Sequence, residues 1–96
     1  MLDLPPNLTG AFMTTPDERT RALVQAGAFL KELRADRTLP ESIRTEAHRL
    51  LRHYPSIGDV RSIAVAIAEQ PWLPLLSIEQ DPDWLRGYRH GAHKDG

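Results

Sequence analysis

Proline and its neighbours divide this chain into short helical lengths before any other feature is considered. Proline fixes φ near the helical value but lacks the N–H that a helix interior needs, so it sits at the first turn of a helix or just beyond its end. At Thr15-Pro16-Asp17-Glu18 a cap hydroxyl, a proline and a glutamate stand in the reciprocal capping order, with two acids at the positive end of the dipole. The spacing predicts a first helix from Pro16 to about Arg34. Its buried flank is expected to hold Ala22, Leu23, Ala26, Phe29, Leu30 and Leu33, an arc of about 120°, with Arg21, Gln25 and Glu32 facing water. Leu39-Pro40-Glu41-Ser42 restarts a helix after a polar link, and Tyr54-Pro55 must end it because the residue before proline avoids the α region.

Ser56-Ile57-Gly58-Asp59 repeats the cap signature and opens a third helix to about Glu69, with Ile57, Val60, Ile63, Ala64 and Ile67 inward. Its β-branched residues would also suit a strand, but they recur at three and four rather than at two. Pro71-Trp72-Leu73-Pro74 breaks the pattern, and Trp72, Leu73, Leu75 and Leu76 are expected to close the open end of the core. Asp81-Pro82-Asp83 starts one more short helix, in which Trp84, Leu85 and Tyr88 share a flank before Gly91 stops it. The expected fold is all-α: a three-helix bundle with a short additional C-terminal helical segment. Residues 1–12 are expected to form an extended arm, residues 13–90 a single helical domain, and residues 91–96 a frayed tail.

Composition narrows the class of function. The 96 residues suffice for one modest core, and an apolar fraction of 41% is adequate to fill it. A formal net charge of −1 removes the large basic excess typical of nucleic-acid and membrane-surface proteins. The chain has no cysteine, which excludes disulfides, thiol nucleophiles and thiolate metal sites and fits a reducing cytoplasm. No basic-then-apolar leader opens the sequence, and no apolar run reaches membrane-spanning length.

Within the second helix the cations are sorted. Ile43, Ala47, Leu50, Leu51 and Tyr54 gather on one flank, while Arg44, His48 and Arg52 climb the other at i, i+4, i+8, with Arg49 beside them. Cations four apart repel, so the row points either to an anionic partner or to a solvated face, with Glu41 placed to pair with Arg44 and the helix C-terminus complemented by positive charge.

Met13-Thr14-Thr15-Pro16-Asp17-Glu18-Arg19-Thr20-Arg21, then Leu39-Pro40, then Arg49-Leu50-Leu51-Arg52-His53-Tyr54-Pro55 resemble the signature segments of a family of small uncharacterised proteobacterial proteins, which carry a Met-Thr-Thr-Pro start and an Arg-His-Tyr-Pro segment. The resemblance covers residues 13–56. It implies a bacterial cytoplasmic setting and Met13 as an alternative start, and it brings no catalytic residue and no ligand.

Chemistry by nucleophile or acid–base pair is poorly provided for. Ser56 and Asp59 are explained by capping, and His48 and His53 lie about 140° apart on a helix, too far round to hold one metal. His90-Gly91-Ala92-His93 has ligand spacing but no third ligand in rigid structure. No catalytic residue, metal site or cofactor is assigned. The second and third helices have the outline of a helix-turn-helix, yet the third presents Gly58, Asp59 and Ser62 where a DNA reader needs cations, so nucleic acid is the secondary reading. The primary reading is a non-enzymatic protein-interaction or regulatory module. Its expected contact residues are Arg44, His48, Arg49 and Arg52, with Trp84 and Tyr88 as a second surface because tryptophan and tyrosine anchor interfaces. The partner is another protein, a second copy of the chain included.

Overall fold

The computed structural model describes residues 14–69 and 75–94. Among the described residues three α-helices, α1 (Pro16–Ala35), α2 (Glu41–Leu51) and α3 (Ile57–Ala68), are followed by a 3-10 turn at Pro82–Leu85. The all-α bundle expected from the sequence is the observed architecture, with α2 and α3 each packed against α1. The expected arm at residues 1–12 and the closure by Trp72 and Leu73 lie outside the described residues, whereas Leu76 is half-buried and Leu75, expected to share that closure, is exposed.

The caps form where the sequence places them. Thr15 Oγ1 accepts the Glu18 amide at 3.1 Å while Glu18 Oε1 accepts the Thr15 amide at 2.8 Å. Ser56 and Asp59 make the same exchange at 3.1 and 3.0 Å, so two helix starts have their otherwise unpartnered donors satisfied. Between α1 and α2 the Asp36 carboxylate accepts the Thr38 hydroxyl at 2.6 Å and the Thr38 amide at 2.9 Å. Those two bonds, the hydroxyl's first, hold the Asp36 carboxyl below its ordinary value.

The inward face of α1 differs from the expected one. Its buried residues are Thr20, Val24, Gly27 and Ala28, whereas Ala22 and Ala26 are exposed and Phe29 is 53% exposed. Apolar residues occur on both sides of this helix, so periodicity alone does not choose between them. Close approach chooses the side with the smaller residues. A Cβ on Gly27 would stand 3.1 Å from both His93 Cβ and Tyr54 Cε2, which shows how tightly two other segments close onto α1 at that point. Around it the core is completed by Ala47 and Leu51 of α2, Val60 and Ala64 of α3, and Ala92. Ile43 and Leu50, expected inside, are exposed at the edge of α2, and Ile63 is exposed on α3.

The C-terminal segment is a strap laid along α1 and held by polar side chains of that helix. Arg19 Nε donates to Leu75 O at 2.8 Å, Thr20 Oγ1 accepts from Ser77 N at 2.8 Å, and Gln25 Nε2 donates to Trp84 O at 2.9 Å. Further on, Glu32 Oε2 accepts from His90 N, and Lys31 Nζ donates to both His90 O and Ala92 O at 2.8 Å. Positions rise together on the two segments, so the strap runs in the same direction as α1. Gln25 and Glu32, expected in water, are half-buried fasteners. The strap turns at Gly87 and Gly91, whose φ values of 93° and 70° favour glycine.

The tail is also more ordered in its packing than a frayed end. Ala92 and His93 are buried, His93 O accepts the first α3 amide at 2.9 Å, and His93 Nε2 lies 3.2 Å from Tyr54 O. A carbonyl can only accept, so Nε2 carries the proton there. Residues 95–96 lie outside the described residues.

Candidate partner-binding surface

Of the four cations in the α2 row, two are already occupied. Arg44 is half-buried and its Nε turns back to Leu39 O at 3.3 Å, at the start of its own helix. Arg49 forks onto Glu46, with Nε–Oε1 at 2.7 Å and Nη2–Oε2 at 2.6 Å. That hydrogen-bonded pair lowers the Glu46 carboxyl and raises the Arg49 guanidinium relative to their ordinary values, but both side chains are solvated and the pair adds little stability. The Glu41–Arg44 pairing considered from spacing is not formed. Glu46 stands three before Arg49 on the same helix, a spacing that announces the observed pair.

His48 and Arg52 remain exposed, with no side-chain bond among the described residues. Arg52 borders an open groove of about 640 Å³ where the end of α2 meets the flank of α3. His53, Tyr54, Pro55, Asp59 and Ile63 line the rest of it. The Tyr54 hydroxyl donates to Leu23 O at 2.6 Å, and burial pushes its pKa above the ordinary value. One wall is therefore fixed to α1, while Ile63, 46% exposed, offers an aliphatic contact on the other. Sequence periodicity assigns Ile63 to the inner side of α3 and so hides its place beside Arg52. Only the angle at which α3 leaves the α2 end puts it there.

Trp84 and Tyr88 belong to a different part of the molecule. Both are half-buried on the strap. Trp84 lines a recess of about 570 Å³ together with Asp17, Glu18, Arg21, Glu79 and Asp81, a predominantly acidic wall. No α2 residue lines that recess, so Trp84 borders an acidic surface separate from the groove at Arg52, and Tyr88 lines neither.

The histidine spacing near the end does not present two ligands together, because His93 is turned inward onto Tyr54 O while His90 is exposed. Among the described residues no group of three or more His, Asp or Glu side chains is placed to hold a metal ion. No helix among the described residues is long and apolar enough to cross a membrane. No protein-family model matches this chain, and no curated protein and no solved structure matches it either.

Proposed function

We propose that this protein is a non-enzymatic interaction module that docks an acidic, amphipathic protein segment through the basic side of α2 and the groove beside it. One observation carries the reading: Arg52, a guanidinium without a partner among the described residues, borders the same groove as a half-exposed isoleucine. A carboxylate on Arg52, extended toward His48, and an apolar side chain on Ile63 would be recognised together, which neither residue does alone. The absence of cysteine from the sequence is compatible with a reducing compartment as the setting.

The secondary reading, DNA binding by α2 and α3, has less in its favour. Each of the two helices packs on α1 rather than along the other, whereas a helix-turn-helix unit docks as a joined pair. Affinity capture with the wild-type chain and with Arg52→Glu, Ile63→Asp and Arg49→Glu variants tests the proposal. The first two should release the same captured protein, and Arg49→Glu, whose wild-type residue is already engaged by Glu46, should retain most of it. An unchanged bound set in Arg52→Glu and Ile63→Asp overturns the docking face. Affinity for random duplex that falls steeply with salt would establish the DNA reading in its place.

A further inference from the structure

We infer that the chain self-associates through the outer side of α3, two copies packing antiparallel about a two-fold axis at Val65. From Ile57 to Ala68 this helix carries only two charges, Asp59 and Arg61, both in its first half. A helix apolar nearly all round belongs in an interior. Among the described residues α1 covers one side, burying Val60 and Ala64, and the strap reaches only its start, through Gln80 Nε2 to Ile57 O and Ile57 N to His93 O. Val65 is left 45% exposed and Ala66 and Ala68 are open to solvent.

The occupant is specified by charge. Gly58, Arg61, Ser62, Val65, Ala68 and Glu69 are all exposed and recur at three and four along one stripe. Glu69, the C-cap, keeps helical φ and ψ of −71° and −9°, so the stripe extends to it. Arg61 and Glu69 lie equally far from Val65, four residues on either side. Within one chain they are roughly 12 Å apart along the axis and cannot pair. Two antiparallel copies that meet at Val65 set Arg61 of each against Glu69 of the other, forming two ion pairs around an apolar centre. This is an isologous, self-complementary contact. A uniformly acidic or basic partner would leave one end of the stripe matched and the other repelled. Ile63 lies about 160° around the helix from Val65, so the groove beside Arg52 stays open in the dimer.

Sedimentation velocity over a concentration series, with circular dichroism to confirm the fold, tests the register. The wild-type chain should show a concentration-dependent dimer, and Val65→Asp a monomer with unchanged helicity. Arg61→Glu and Glu69→Arg, each of which turns both pairs into repulsions, should weaken association by roughly tenfold. The double variant should recover it. Because the chain has no cysteine, Val65→Cys introduces its only thiol, and mild oxidation should yield a disulfide-linked dimer far faster than with Ala66→Cys. A wild-type monomer at every concentration, or a double variant no better than the singles, overturns the proposal. Cover of Val65 by residues 70–74 of the same chain would show itself as that monomer.

Discussion

The two long sides of α1 are covered by different chemistry. Against α2 the contact is apolar and close: Val24 and Ala28 meet a core that contains Ala47 and a Leu51 only 1% exposed. Against the strap it is a row of hydrogen bonds from Arg19, Thr20, Gln25, Lys31 and Glu32 to main-chain groups. Apolar burial is non-directional and tolerates sliding, whereas each hydrogen bond fixes a register. A segment with almost no regular structure needs the second kind, since without a ladder of its own its carbonyls and amides must find partners elsewhere. The α2 side supplies most of the cohesion, and the strap side supplies the alignment.

The largest test of that division is Leu51→Ala, which removes a fully buried side chain from the apolar side. It should cost about 2 to 5 kcal/mol in urea unfolding, a large part of the stability of so small a domain. Next comes Thr20→Val on the strap side. Thr20 is fully buried, and its hydroxyl donates to Pro16 O at 2.8 Å while accepting from Ser77 N, so the valine strands an amide at about 1 to 3 kcal/mol. Hydrogen exchange should accelerate first at Ser77 while the α1–α2 amides keep their protection. Uniform acceleration across all three helices would show that strap and bundle unfold as one unit and would erase the distinction.

Smaller still is Tyr54→Phe, at the point where the two sides meet. Loss of the hydroxyl bond to Leu23 O should cost about 0.5 to 1.5 kcal/mol at neutral pH. Since burial raises the folded pKa of this phenol, its contribution is complete below the unfolded value of about 10 and is lost as pH rises through the folded value. Wild type and variant should therefore converge in alkali, as denaturant titrations across that range would show. At the bottom of the scale, Glu46→Gln should leave the urea midpoint almost unchanged, because the Arg49 pair it breaks is solvent-exposed.

What could be read in the sequence follows the same division. Helix starts were legible because capping is local chemistry, and Thr15 with Glu18 or Ser56 with Asp59 needs nothing beyond three residues. The inward face of α1 was not, because apolar side chains surround that helix. The deciding contacts come from Tyr54 and His93, 27 and 66 residues away from Gly27 in the chain. Gln25 and Glu32 resemble solvated residues until the strap arrives. For the candidate site, the basic row was legible as spacing on one helix. That Arg44 and Arg49 are engaged and Arg52 is not depends on Leu39 O and Glu46, and the groove at Ile63 depends on how α3 leaves its turn.

The direction of the strap has a practical consequence for how the molecule comes apart. Since residues 75–94 ascend α1 from its first turn to its last, anything that tugs at or trims the chain end works backward along a single seam. A carboxypeptidase working inward through Gly96, Asp95 and Lys94 would then meet the buried His93, whose extraction also frees the opening amide of α3. Digestion should pause there, and a bulky fusion placed directly after Lys94 would bear on that same fastening before any other.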